Sequence, residues 1–124
     1  METTSLYARL GGYDAIAAIT DELLARLLND PQLGVFWKGH SESSLRRDRQ
    51  LVVNYMCAAA GGPVFYTGRD MKTSHKGLSV SVSDWEVFMQ HASAVLEKFA
   101  VPVPERDEVL AFLTGLQGDV VERT

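Results

Sequence analysis

Gly61-Gly62-Pro63-Val64-Phe65-Tyr66-Thr67-Gly68-Arg69-Asp70-Met71-Lys72-Thr73-Ser74-His75-Lys76 is the stretch on which the reading of this chain turns. Its glycine pair and proline end a helix, because glycine takes the left-handed cap and proline cannot continue the hydrogen-bond ladder. A glycine-rich loop follows, then one polar helical turn that carries His75. The chain has three histidines, His40, His75 and His91. By residue chemistry alone, a single histidine in such a turn is more often unliganded than bound to a metal.

Upstream of the glycine pair, Leu45, Val52, Tyr55, Met56 and Ala59 recur at helical spacing, predicting a helix from Ser41 to Ala60 with those residues inward. Asp30-Pro31 reads as a second, shorter start, a capping residue before a proline. It leads only to Leu33, Phe36 and Trp37. Tyr13 to Asn29 carries Ile16, Ile19, Leu23 and Leu27 as one apolar stripe. Gly11-Gly12 gives that helix a flexible corner with a short first helix.

Downstream, Leu78, Val80 and Val82 alternate with Ser79, Ser81 and Ser83, a strand-like pattern. With no second strand to complete a ladder, it is expected to be an extended connector. Ser83-Asp84-Trp85-Glu86 matches a capping box and opens a helix with Trp85, Phe88, Ala92, Val95 and Phe99 on one face. After Pro102 and Pro104, Val109, Leu113, Leu116 and Val120 stripe a final helix. The fold class expected is all-α, with about five helices in one domain over residues 1–124.

Bulk properties narrow the function. A chain of 124 residues with 46% hydrophobic and 23% charged residues is an ordinary globular domain. It buries roughly two-thirds of its extended surface. The net charge of −4 excludes the basic footprint of a nucleic-acid binder. Arg46-Arg47-Asp48-Arg49 reads as a solvated helix face. Cys57, the single cysteine, excludes an internal disulfide and a cysteine-cluster metal site. No apolar run approaches the ~20 residues of a membrane span. Met-Glu-Thr-Thr-Ser lacks the features of a signal peptide, so a cytoplasmic location is expected. HExxH, CxxC, GxSxG and phosphate-loop patterns are missing.

Taken together, Gly61-Gly62, Tyr66-Thr67-Gly68 and Met71-Lys72-Thr73-Ser74-His75 resemble the truncated haemoglobins, most closely their first group. The resemblance extends to Ser5-Leu6-Tyr7-Ala8-Arg9-Leu10-Gly11-Gly12, to Asp30-Pro31 and to the aromatic pair Phe36-Trp37, and so covers nearly the whole chain. It implies a two-over-two globin helical sandwich holding haem b (iron protoporphyrin IX), with His75 as the iron ligand. Such a cofactor needs an apolar slot, a neutral imidazole, and cations or hydroxyls at its edge. Phe36, Trp37, Val52, Met56, Met71, Val80, Trp85 and Phe88 are the expected walls, and Tyr66 and Lys72 the expected propionate contacts.

The chain departs from the family on the distal side, where a tyrosine of the second helix usually donates to the gas ligand. Alignment from Gly11-Gly12 puts Leu24 there, and leucine cannot donate. Counting back from Gly61-Gly62 places Asp48 and Val52 at the distal positions of the next helix, whereas counting forward from Phe36-Trp37 gives Leu45. The backward count keeps the family spacing. Asp48 is then expected to turn outward, because burying its charge would be costly. Val52 would face the iron, with Arg49 and Gln50 the nearest candidate donors. His40 is expected on a surface loop. His91 is expected to be partly buried and hydrogen-bonded through a ring nitrogen.

The resemblance implies a protein that reversibly binds oxygen or another diatomic gas, carbon monoxide or nitric oxide. Its alternatives are a nitric oxide dioxygenase drawing electrons from an external reductase and a haem-based ligand sensor. A haem-free helical interaction module stands as the alternative from another class.

Overall fold

The computed structural model describes residues 4–124. α1 (Leu6–Leu10) is capped by Ser5, whose Oγ accepts from the Ala8 amide at 3.1 Å. Gly11 and Gly12, at φ +107° and +84°, turn the chain into α2 (Tyr13–Asn29). Both backbones lie where a side chain would be strained, which is why the corner needs glycine.

α2 ends at Asp30, and the short helix expected after Pro31 is a single 3-10 turn, Gly34–Trp37. α3 (Glu42–Ala59) begins at Ser41, whose Oγ accepts from the Ser44 amide at 3.1 Å, and stops before Gly61 at φ +89°. Its inward face differs by one residue from the expected one. Val53 and Cys57 are fully buried, whereas Leu45, Val52, Tyr55 and Met56 are half-buried and Ala59 is exposed. The cause is the partner: α3 lies on α2, and Val53 and Cys57 enter the cluster with Ile16 and Ala17.

α4 (Met71–His75) is the polar turn holding His75. The expected extended connector is interrupted at Ser79, which takes φ +57°, but past it Val80 and Ser81 do find a partner: the Glu122 amide donates to the Val80 carbonyl at 2.8 Å, and the Val82 amide to the Arg123 carbonyl at 3.0 Å. α5 (Val82–Lys98) starts two residues earlier than expected. Its capping box uses Ser81 with Asp84, each side chain accepting from the other's amide at 3.0 Å. Pairing with residue 123 carries the extended chain up to Ser81, so Ser81 takes the cap and Ser83 is left exposed.

Trp85, Ala92 and Val95 are buried as expected, but Phe99 caps the helix and is exposed, with Leu96 holding the deep position instead. The final helix is broken into α6 (Val103–Thr114) and α7 (Gln117–Val120) around Gly115. The predicted stripe survives the break, with Val109, Leu113 and Val120 buried and Leu116 half-buried.

Three clusters make the core. One joins α5 and α6 through Ala92, Leu96, Val109 and Leu113; another joins α2 and α3; the third gathers Val80, Trp85 and Val120. Met56 packs against the first two clusters and Phe88 against the first and third. Among the described residues, no helix is long and apolar enough to cross a membrane.

Candidate functional site

Asp70 builds the turn that carries His75. Its Oδ1 accepts from the Thr73 amide at 2.7 Å, and Thr73, through its side-chain hydroxyl first and then this amide, holds the carboxyl below the ordinary range. One turn on, the His75 Nδ1 lies 2.8 Å from the Met71 carbonyl oxygen and 3.0 Å from Ser74 Oγ, which itself donates to the Met71 carbonyl at 3.1 Å. A carbonyl can only accept, so Nδ1 carries the proton. Nε2 then keeps the lone pair that a metal needs. A back-bonded imidazole is also fixed in orientation and made more basic. Among the described residues, no three His, Cys, Asp or Glu side chains converge, so the remaining ligands of any metal on His75 would have to come with it.

Beside this turn the structure brings together Phe36, Met71, Val80, Trp85 and Phe88, all expected wall residues, in one cluster. The Trp85 and Phe88 rings stand 5.2 Å apart. The other expected walls, Trp37, Val52 and Met56, are half-buried, as is Leu24, but they lie outside this cluster, and Met56 packs with the other two instead. α3 lies mainly on α2, whereas α4 lies on α7. The apolar cluster that Met71 joins, next to a metal-competent imidazole, fits an apolar, metal-bearing group. An apolar cavity of about 90 Å³, lined by Leu10, Ile16, Ile19, Leu96, Phe112 and the expected wall residue Met56 among others, is too small for such a group, since ligand pockets run to ~300–1,000 Å³.

The polar candidates divide. Lys72 is exposed. The Tyr66 hydroxyl donates to the Arg69 carbonyl, and its ring stands edge-on to Tyr55 at 5.2 Å. Tyr66 thus shapes the loop with the proton expected to serve a propionate. A Cβ on Gly68 would come within 2.3 Å of the Tyr66 hydroxyl, and one on Gly62 within 2.5 Å of the Tyr7 ring. Gly62 and Gly68 are therefore explained by aromatic rings lying over them, a packing signal that spacing alone does not reveal.

On α3, Asp48 is half-exposed and faces His40, with Oδ2 3.5 Å from Nδ1. The Arg49 guanidinium is held by Asp21, Nε to Oδ1 at 2.7 Å and the second nitrogen to Oδ2 at 3.1 Å. Gln50 Nε2 donates to the Tyr13 hydroxyl at 2.8 Å and to Asn54 at 3.0 Å. Both candidate donors of this helix are thus engaged by neighbours on α2 and α3.

An all-helical fold that sets a back-bonded imidazole beside an apolar cluster suits a cofactor-gripping globin. The family model for bacterial-like globins matches residues 5–122. The chain is 29% identical to the group 1 truncated hemoglobin of Mycolicibacterium paratuberculosis, over 96% of this chain and 85% of that one. It is 27% identical to a group 1 truncated hemoglobin of Chlamydomonas moewusii, over 94% of this chain and 68% of that one. In structure it resembles the truncated hemoglobin of Tetrahymena pyriformis in its Fe(III) form, with a TM-score of 0.86 at 20% identity over 95% of this chain and 98% of that one. The group II truncated hemoglobin of Bacillus anthracis superposes equally well, with a TM-score of 0.87 at 16% identity, covering 100% of this chain and 96% of that one. Shape does not separate the groups, and the group 1 likeness rests on sequence. The chain belongs to the bacterial-like globin family, as a truncated haemoglobin.

Proposed function

We propose that this chain holds haem b through His75 Nε2 and reversibly binds oxygen or another diatomic gas. The observation that carries the reading is the His75 imidazole, tied through Nδ1 to the Met71 carbonyl at 2.8 Å beside the apolar cluster of Phe36, Met71 and Phe88. Haem would supply the iron for gas binding, and the chain would hold it through the His75 Nε2 lone pair in apolar surroundings. Met71, Phe36 and Phe88 would exclude water beside His75, and Trp37, Val52 and Met56 would cover the other face of the group.

Gas binding is favoured over nitric oxide dioxygenation by the distal inventory. Leu24 and Val52 donate nothing, and the guanidinium of Arg49 is committed to Asp21. A dioxygenase begins from a long-lived oxygen complex and would need electrons from an external reductase. This inventory suits fast release instead.

The test is optical. Purified protein loaded with haem should be red, with stoichiometric cofactor and a strong band at the blue edge of the visible. His75→Ala should lose stoichiometric retention or give weak, spectrally different binding, and His91→Ala should keep the parent spectrum. An unchanged spectrum in His75→Ala overturns the ligand assignment.

A further inference from the structure

The residues that follow His75 are held from outside their own helix. Gly77 and Ser79 lie in the left-handed region, at φ +86° and +57°, and Ser79 pays for that conformation with strain. Their two amides converge on one carboxylate. Glu122 Oε1 accepts from Gly77 at 3.0 Å and Ser79 at 2.9 Å, and Oε2 accepts from Gly77 at 3.1 Å. Between them the Leu78 amide donates to the His75 carbonyl at 3.2 Å. Two fixed peptide planes thus flank the one that holds the histidine's own backbone.

Arg123 completes the hold. Its Nε donates to the Ser79 carbonyl at 2.8 Å, its carbonyl accepts from Val82, and its amide together with that of Glu122 reaches the Val80 carbonyl. Beneath this pairing Val120 is buried with Val80 and Trp85, and α7 lies on α4. A loop with two left-handed residues has no reason to keep one conformation by itself. Here a carboxylate 43 to 45 residues away in sequence satisfies the converging amides.

We propose that Glu122 and Arg123 form a clamp that positions the proximal histidine, so that the segment after α7 sets how His75 meets the haem iron. Glu122 is a positioning residue acting through backbone amides, touching neither cofactor nor gas. The inference rests on the haem reading above.

The test uses the full-length haem-loaded protein carrying Glu122→Ala, Glu122→Gln or Arg123→Ala. Two quantities are read: the rate of haem loss to excess apomyoglobin, and the iron–histidine stretching band of the ferrous, ligand-free protein. Glu122→Ala should release haem roughly tenfold faster, the low end for an outer partner of a metal ligand, and should shift or broaden the band. Glu122→Gln keeps an oxygen that can accept from both amides, and should restore the band. Arg123→Ala leaves the backbone pairing in place and should move both readouts the same way but less, which keeps the clamp testable should Glu122→Ala fail to fold. A band identical to the parent's in Glu122→Ala overturns the clamp. So does faster haem loss to the same extent in the Ala and Gln variants. A parent protein that takes up no haem overturns the function reading and the clamp together, whereas a haem-loaded parent insensitive to Glu122 overturns the clamp alone.

Discussion

The Nε2 of His91, midway along α5, lies 2.8 Å from Oδ2 of Asp30, the residue that ends α2. The other oxygen of the same carboxylate accepts from the Gln32 amide at 2.8 Å and the Leu33 amide at 3.0 Å. One aspartate therefore closes the corner leading to Phe36 and Trp37 and ties that corner to α5. Gln32 repeats the tie, its Nε2 donating to Asp84 at 2.6 Å.

This corner should be sensitive to acid. The bond from His91, and after it the Leu33 amide, holds the Asp30 carboxyl below its ordinary value of 3.8. A group with a depressed folded pKa adds stability above its unfolded value and loses it as pH falls through the folded one. The melting temperature of Asp30→Asn should therefore lie below the parent's at neutral pH. The gap should close as the pH is taken well below about 4. Calorimetry at neutral and strongly acid pH checks this, and a gap that stays constant would refute it.

Leu24→Tyr should slow oxygen release by about tenfold or more, since ~1.4 kcal/mol is one power of ten and a hydrogen bond to a strongly polar acceptor is worth roughly 1.5–3 kcal/mol. Carbon monoxide, less polar when bound, should be little affected. With Arg49 held by Asp21 and Gln50 by Tyr13 and Asn54, Arg49→Leu and Gln50→Leu should leave oxygen release near the parent rate. Stopped-flow dissociation on the three variants decides. Faster loss in Arg49→Leu would give the donor's role to the guanidinium.

Haem should stabilise the fold. A ligand that binds only the folded state adds about 4 kcal/mol at a thousandfold excess over its Kd. The half-buried Phe36, Trp37, Val52 and Met56 are the side chains that would gain cover. The apoprotein should melt well below the haem-loaded protein, and equal melting temperatures would contradict a buried cofactor.

Gly62→Ala should cost about 1–3 kcal/mol, as overpacking does, because the new methyl would sit within 2.5 Å of the Tyr7 ring. Adding Tyr7→Leu should restore part of the loss. A double-mutant cycle by urea unfolding measures the coupling, and strictly additive costs would show that the ring does not set the glycine.

Local features were legible in the sequence wherever one residue decides them. Ser41 caps α3, Gly11-Gly12 makes the first corner, and His91 bonds through a ring nitrogen as expected. Helical periodicity carried the all-α class, and the family motif the two-over-two arrangement within it. What escaped depends on partners distant in sequence. Val53 and Cys57 outrank Val52 and Met56 in burial only because α2 lies against their side of α3. Ser81 caps α5 in place of Ser83 only because Arg123 pairs beside it. The ring of Tyr66 lies over Gly68, and the hydroxyl offered to a propionate is bonded within its own loop. Periodicity reports that a helix has an inward face. Which of two neighbouring stripes is deeper belongs to the helix it meets.

Cys57 gives the molecule a clock. Its thiol is wholly enclosed between α2 and α3, and burial pushes its pKa up. A thiol-reactive dye needs an exposed thiolate, so it can reach Cys57 only in moments when the two helices part. With no second cysteine in the chain to compete, the labelling rate would count those openings directly, and would do so in turbid or coloured samples where optical melting fails.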